Sequence, residues 1–234
     1  MDTATLEDPS VNVKGGIPLL FPNAGSIPKG IKRPQELAKL MQHGFARTSS
    51  AWTKWAGEMG FVETFNSSPE TLAVFPFKFK LIMAGQLEAG GSCSITPTIL
   101  NQEIDQAMPI AFGLHPYFKV PHDLKKDIDF RFFGGRGIRE DIGAWANGNS
   151  VVVRNPRIDD ARKDSIEVFI PCLGRIWLDI PVQYQRIIVW SQPGKDFVCI
   201  EPFMGGQGGI FVNPLHIKPG GALSTRIRIH FEPC

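Results

Sequence analysis

Short apolar runs separated by clusters of Gly, Pro, Asn and Asp dominate the sequence, and they constrain its fold more than any other feature. The final run, Ala222 to Phe231, alternates strictly, with Leu223 and Ile227 on one face and Arg226 and Arg228 on the other. Similar runs recur at the spacing of an antiparallel sandwich, and 24 glycines and 19 prolines supply the turns. The pattern therefore predicts an all-β fold, a large antiparallel β-sandwich.

Outside these strand-like runs, the sequence predicts little regular secondary structure. Helical periodicity is limited to a short segment between Pro34 and Met41. The most irregular stretch, Gly134 to Asn149, is predicted to be a long surface loop. Because all-β folds commonly reach this length as one unit, we expect a single domain over residues 1–234.

Charge and hydropathy exclude several classes of function. The net charge is only +2 and the basic residues are scattered, so no nucleic-acid partner is expected. No apolar run approaches the roughly 20 residues that a membrane helix needs, so no membrane span is expected. The N-terminus is acidic, unlike a secretory or transit peptide. We therefore expect the protein in the cytoplasm, or in a plastid if a leader has been removed.

The cysteines predict neither a disulfide framework nor a metal site. They are widely spaced and form no CxxC pair: Cys93, Cys172, Cys199 and Cys234. Three of them lie within or beside apolar segments, where a reduced, buried thiol is the default interpretation.

Two histidines and one carboxylate offer most of the chemistry in the chain. His43 and His115 each lie in a segment bounded by Gly or Pro, and Glu201 ends a strongly apolar run. Two imidazoles and a carboxylate can move protons on and off oxygen near neutral pH. Considered alone, Glu201 could equally cap a strand at the rim of a sheet, and each histidine could be a hydrogen-bonded structural residue.

Six short motifs follow one another along the chain in a distinctive order. They are Lys14–Gly25, Gln42–Arg47, Met108–Pro109, His115–Phe118, Val189–Ser191 and Glu201–Pro202. This ordered set resembles the aldose 1-epimerase (galactose mutarotase-like) family, and it is most similar to the hexose-6-phosphate mutarotase branch. Each motif alone is weak, so the specificity lies in their order. The resemblance implies a large antiparallel β-sandwich, in agreement with the strand pattern.

The resemblance also implies a reaction and three catalytic residues. Glu201 corresponds to the base that takes the proton from the anomeric hydroxyl, and His115 to the acid that protonates the ring oxygen. His43 corresponds to a second imidazole that binds and polarises the reacting oxygens. The implied enzyme interconverts the α and β anomers of an aldohexose or a hexose 6-phosphate, and it needs no cofactor and no metal.

Four further side chains are candidates for binding the sugar or sugar phosphate: Arg47, Lys14, Gln42 and Tyr117. Arginine can hold an anion with two parallel hydrogen bonds, whereas lysine acts as a point charge. An aromatic ring such as Tyr117 can pack against the apolar face of a pyranose. A solvated surface position is the alternative for Lys14.

Two departures from the family favour a second hypothesis. The segment Leu173–Leu178 best matches the family segment that carries a substrate-binding aspartate, and Gly174 stands in place of that residue. Only thirteen residues precede Lys14, where the family has several strands. An incomplete sandwich would expose a sheet edge on which a protein partner could dock. The alternative is therefore a catalytically impaired, mutarotase-like subunit that binds carbohydrate or assembles a complex.

Overall fold

A computed structural model describes residues 14–27, 29–132, 136–137, 145–154, 165–205 and 208–234. In these residues the chain is mainly β strand, and the strands pair in antiparallel ladders in two large sheets. The predicted all-β sandwich is therefore confirmed.

The larger sheet contains ten strands. They are β2 (Thr53–Gly57), β3 (Gly60–Asn66), β4 (Phe79–Glu88), β5 (Ser92–Asn101), β9 (Asp129–Phe132), β10 (Arg136–Gly137), β12 (Ser165–Ile170), β13 (Gly174–Asp179), β17 (Ala222–Ser224) and β18 (Ile227–Pro233). Their order is β10-β9-β12-β13-β18-β5-β4-β3-β2, with β17 also paired to β5. In β4 every second residue from Phe79 to Gly85 is buried, because successive side chains of a strand point to opposite faces.

The smaller sheet contains six strands, and two further strands form a separate ladder. The six are β1 (Leu19–Leu20), β7 (Gly113–Leu114), β8 (Tyr117–Lys119), β11 (Val151–Arg154), β14 (Arg186–Trp190) and β15 (Phe197–Phe203), and the ladder pairs β6 (Met108–Ile110) with β16 (Leu215–Ile217). The order is β1-β7-β15-β14-β11, and β8 also pairs with β15. All seven residues of β15 are buried, so this strand places Glu201 deep in the molecule.

The helices are short. They are the 3-10 helices Gln35–Leu37, Ala46–Thr48 and His122–Asp127 and the α-helices α1 (Pro69–Leu72) and α2 (Gly209–Val212). The predicted helix from Pro34 to Met41 is wrong beyond its first turn, because so short a segment does not recover the cost of nucleating an α-helix. Leu37 and Leu40 are nevertheless buried, so the apolar face that suggested the helix does contact the core. None of the helices in the described residues is long and apolar enough to cross a membrane.

The core lies between the inner faces of the two large sheets. Ile166 and Leu178 from the larger sheet join Val189 and Ile200 from the smaller one in a single apolar cluster, and all four are fully buried. Removing this apolar surface from water is the main favourable contribution to folding.

The final predicted strand is interrupted in the structure. It is divided into β17 and β18 at Thr225, whose buried hydroxyl lies 2.8 Å from the hydroxyl of Tyr184. The predicted alternation is confirmed at the start of β18, since Ile227 is buried while Arg226 and Arg228 are exposed. It is wrong at the end of the strand, where Phe231 is 43% exposed.

Part of the predicted surface loop is buried. Most of the stretch from Gly134 to Asn149 lies outside the described residues, but Trp145 within it is fully buried. Its indole packs edge-on against Phe130, with 5.5 Å between ring centroids, and its carbonyl oxygen accepts a hydrogen bond from the Ser191 backbone. The surface prediction is wrong at Trp145, because this large apolar side chain packs into the core.

Candidate active site

A cavity of about 710 Å³ lies on the outer face of the smaller sheet. Its floor comes from β14 and β15, which alternate side chains between the core and the cavity. The seven residues that the sequence identified all line it: Lys14, Gln42, His43, Arg47, His115, Tyr117 and Glu201. Residues from widely separated motifs are therefore brought together around one space of a size typical for small-molecule sites.

Glu201 lies on the cavity floor. The central strand β15 carries it, paired with Ile188 of β14, and its side chain is almost completely buried. Burial raises the pKa of Glu201 to about 8, while the positive charge of Arg47 lowers it. A carboxyl group placed in this way titrates near neutral pH, where proton transfer is most useful.

His115 is held next to Glu201 by its backbone and by its ring. Its backbone N–H donates to the Pro18 carbonyl at 2.9 Å, which fixes the turn between β7 and β8. Its imidazole stacks on Tyr117, with 4.8 Å between centroids and 9° between planes, and Trp190 packs edge-on at 6.1 Å. These contacts aim Nε2 at the Glu201 carboxylate, 3.4 Å away.

The His115–Glu201 pair shares a buried environment that disfavours charge. The pKa of His115 is lowered to about 3, mainly by burial and in part by the positive charge of Arg47 and by repulsion from His43 when that ring is protonated. Because burial raises the pKa of Glu201 and lowers that of His115, the pair holds one proton over a wide range around neutrality. The two shifts favour the form in which Glu201 carries this proton and His115 is neutral. Transfer of the proton across the 3.4 Å to His115 Nε2 gives the minor ion-pair form, in which Glu201 can act as base and His115 as acid.

His43 is positioned by an unusual backbone. Its φ of +63° and that of Gly44, +65°, are left-handed, and a Cβ at Gly44 would overlap the carbonyl oxygen of Phe21. The backbone N–H of Gly25 donates to His43 Nδ1 at 3.1 Å, so neutral His43 carries its proton on Nε2. The side-chain amide of Gln42 lies 3.1 Å from Nε2, and its oxygen must face the ring to accept that proton.

His43 stays neutral at physiological pH. Its pKa is lowered to about 4, mainly by burial and in part by the charge of Arg47. Its ring lies 5.8 Å from that of His115, edge to face. His43 is therefore suited to donate a hydrogen bond through Nε2–H and not to release a proton.

Arg47 and Lys14 supply positive charge to the cavity. Arg47 lies in the 3-10 helix Ala46–Thr48, and its Nε is buried with no hydrogen-bond partner among the described residues. A buried donor of this kind is costly unless a ligand satisfies it. Lys14 donates from Nζ to the Gln192 side chain at 2.7 Å.

Sequence reasoning missed Arg186 and treated Trp190 only as part of a motif. Both line the cavity from β14, together with Ile188, because residues two apart in a strand share a face. The guanidinium of Arg186 donates from Nε to the Gly205 carbonyl at 2.6 Å and lies over the Phe203 ring. The alternation of β14 was visible in the sequence, but only its pairing with β15 shows that this face meets Glu201.

The interpretation of Gly174 needs correction. It lies in β13 of the larger sheet and is not among the described residues that line the cavity. Its φ is +134°, and a Cβ there would overlap the carbonyl oxygen of Glu232. The described cavity lining therefore gives no support to the idea that Gly174 marks the loss of a sugar-binding carboxylate at this site.

Both the sequence and the fold of this chain are similar to those of known proteins. A model of the aldose 1-epimerase family matches residues 10–132, which is more than half of the chain. The crystal structure of a protein from Synechocystis sp. PCC 6803 superposes with a TM-score of 0.80 at 26% identity, covering 99% of this chain and 83% of that one. A search of curated protein sequences gave no significant match.

Two further solved structures show the same fold at lower identity. A galactose mutarotase-like protein from Lactobacillus casei has a TM-score of 0.72 at 24% identity, covering 92% of this chain and 85% of that one. A galactose mutarotase related enzyme from Lactobacillus acidophilus has a TM-score of 0.72 at 18% identity, with coverages of 92% and 82%.

Proposed function

Because the chain belongs to the aldose 1-epimerase family, we propose that it is a mutarotase that interconverts the α and β anomers of an aldohexose. The observation that carries this proposal is the His115–Glu201 pair, whose facing atoms lie 3.4 Å apart on the floor of the cavity. Opening a cyclic hemiacetal requires one group that accepts the proton of the anomeric hydroxyl and another that donates a proton to the ring oxygen. A pair that holds one proton meets both needs.

During ring opening the sugar gives one proton to the protein and receives one from it. The Glu201 carboxylate takes the proton of the anomeric hydroxyl, the His115 imidazolium gives its proton to the ring oxygen, and the bond between C1 and the ring oxygen breaks. The products are the open-chain aldehyde, a neutral carboxylic acid and a neutral imidazole. Burial disfavours both charges of the starting pair, so the same environment that shifts the two pKa values favours this step.

Reclosure reverses the proton transfers. Once the aldehyde has rotated about the C1–C2 bond, Glu201 returns its proton to the carbonyl oxygen and His115 recovers a proton from the hydroxyl that attacks C1. The other anomer results, and the pair regains its first protonation state. The cycle consumes neither protons nor electrons.

His43 and Arg47 stabilise the oxygens that change charge. His43 carries its proton on Nε2, and a sugar oxygen would replace the Gln42 amide as the acceptor of that proton, while the lowered pKa keeps the ring neutral. Arg47 brings a buried donor that lacks a protein partner in the described residues. Fixed donors stabilise developing negative charge more strongly than water does, because they need not reorganise during the reaction.

The finer proposal is that the sugar carries a phosphate on C6. Among the described residues, three cationic side chains line the cavity, namely Lys14, Arg47 and Arg186, against one carboxyl group, that of Glu201. Arg186 lies two residues from Ile188, the strand partner of Glu201, which places it roughly 6.6 Å farther along the floor at about 3.3 Å per residue. An anionic group on C6, the exocyclic carbon attached to C5, would suit this distribution of charge.

Anomer exchange in the presence of the protein tests the proposal. Polarimetry on freshly dissolved α-glucose and NMR exchange on glucose 6-phosphate should both show faster relaxation than the buffer alone. Glu201→Gln should reduce the rate by about 10²- to 10⁴-fold, the usual contribution of a proton-transfer group. Glu36→Gln, at an exposed position, is the matched control and should leave the rate unchanged. If neither sugar relaxes faster with the wild-type protein than with Glu201→Gln, the mutarotase proposal is wrong.

A non-catalytic assembly subunit remains the second candidate, and one surface favours it. Strand β2 lies at the edge of the larger sheet, all five of its residues are exposed, and Trp55 is 65% exposed. An uncovered edge strand with an exposed aromatic residue can accept another chain. Absence of anomer exchange together with loss of a partner complex in Trp55→Ser would favour this function.

A further inference from the structure

Three buried donor atoms of different chemistry lie close together at the cavity floor: His115 and Glu201 line the cavity, and Cys199 is fully buried beside them. A ring nitrogen of His115, Sγ of Cys199 and a carboxylate oxygen of Glu201 all lie within 4.8 Å of one another. Each of the three side chains is buried. We propose that this triad binds a soft divalent cation, zinc in particular, and that the bound metal excludes the sugar.

The triad is held by strands. Cys199 and Glu201 are two residues apart in β15, so their side chains point to the same face. Cys199 pairs with Tyr117 of β8 on one side and with Trp190 of β14 on the other. His115 precedes Tyr117 by two residues and stacks on its ring. A rigid framework of this kind keeps the ligands in place before a metal arrives.

The spacing is close to that of a zinc site. With zinc bonded to N and O at about 2.1 Å and to S at about 2.3 Å, tetrahedral ligands lie roughly 3.5 Å apart. His115 Nε2 and the carboxylate oxygen of Glu201 are already 3.4 Å apart. The largest separation in the triad, 4.8 Å, needs to shorten by about 1 Å on binding.

The charge balance also favours a divalent cation. A thiolate, a carboxylate and a neutral imidazole together cancel the charge of a divalent metal, so the complex can be buried without net charge. Arg47 is the nearby cation that acts on Glu201, and it would repel a free metal ion but not a neutral complex. The thiolate and imidazole select zinc over magnesium or calcium, which prefer oxygen ligands.

The fourth coordination position would open into the cavity. Three protein ligands and one open position are the usual arrangement of zinc sites that exchange a ligand with solvent. Because His115 and Glu201 are the proposed acid and base, a metal on them should compete with the sugar. The inhibition rests on the proposed function, whereas the binding of metal does not.

Cobalt absorption tests the binding directly on the whole chain. Cobalt(II) added to the wild-type protein should give the near-ultraviolet band of a cobalt thiolate and the intense visible bands of four-coordinate cobalt, and zinc should abolish both. Cys199→Ser should remove the thiolate band and lower the affinity for cobalt at least about tenfold. Cys172→Ser, at an exposed thiol, should retain the wild-type spectrum. The absence of the band in the wild type, or its persistence in Cys199→Ser, overturns the proposal.

A second variant and an activity assay separate the possible failures. If Cys199→Ser does not fold, His115→Asn should keep the thiolate band but bind cobalt more weakly, and unchanged affinity overturns the triad. With the wild type, zinc should raise the apparent KM for the sugar, a chelator should reverse this, and magnesium should have no effect. A cobalt thiolate band without anomer exchange supports the metal site and rejects the mutarotase, whereas anomer exchange without the band does the reverse.

Discussion

Raising the pH above about 8 should switch off anomer exchange, because this removes the single proton shared by His115 and Glu201. Burial raises the pKa of Glu201 to about 8 and lowers that of His115 to about 3, so the pair keeps one proton between these limits. Ring opening needs that proton at His115. If Glu201 acted alone as a base, the rate would instead rise as the pH passed through its pKa.

The pKa of Glu201 sets the size of the effect. With a pKa of about 8, the pair holds its proton in about 90% of molecules at pH 7, in about half at pH 8 and in about 9% at pH 9. Above about pH 9, kcat/KM should fall about tenfold for each further unit of pH. The plateau should extend well below pH 7, because His115 gains a second proton only near pH 3.

The assay is NMR exchange between the anomers from about pH 5 to about pH 10, with the enzyme-free rate subtracted at each pH. Arg47→Met should move the alkaline limb to higher pH, since the charge of Arg47 lowers the pKa of Glu201. His43→Asn should reduce the rate but keep the limb, because the pKa of His43, about 4, lies far from it. A kcat/KM that rises up to pH 9, or one that is flat over the whole range, would refute the one-proton mechanism.

Three further substitutions test the positioning of the site. Gly44→Ala should lower the free energy of unfolding by about 1–3 kcal/mol more than Gly16→Ala, measured by denaturant titration, because both glycines have a left-handed φ but only Gly44 would overlap a backbone oxygen; equal losses would contradict this. Tyr117→Ala should reduce kcat by up to about tenfold, corresponding to the 0.5–1.5 kcal/mol of the ring contact with His115, while Tyr117→Phe keeps the stacking and most of kcat. Gly174→Asp should lower the Tm and leave KM unchanged, because this position lies outside the described cavity lining; a gain in sugar affinity would restore the original interpretation.

The sequence predicted the elements whose structure is set by local alternation. The start of β18 follows from a period of two, with Ile227 buried between exposed Arg226 and Arg228, and that period needs no knowledge of partners. Local patterns failed where packing decided the outcome. Trp145 was assigned to a surface loop because of the glycines around it, but its indole is fully buried.

The site shows the same division. Glu201, His115 and His43 were recognised from the order of their motifs, and all three line the cavity. The importance of Arg186 and the proximity of Cys199 to His115 could not be predicted, because each depends on which strands are neighbours. Gly174 was misjudged for the same reason, since a match along the sequence does not say on which sheet the residue lies.

By itself, the sequence determined an all-β chain, the faces of its strands and the residues able to transfer protons, because alternation and side-chain chemistry are local properties. Only the tertiary structure brought His43, His115 and Glu201, which come from distant parts of the chain, around one cavity. It also decided their pKa values and the one proton that His115 and Glu201 share, because burial and neighbouring charges exist only after the sheets have packed.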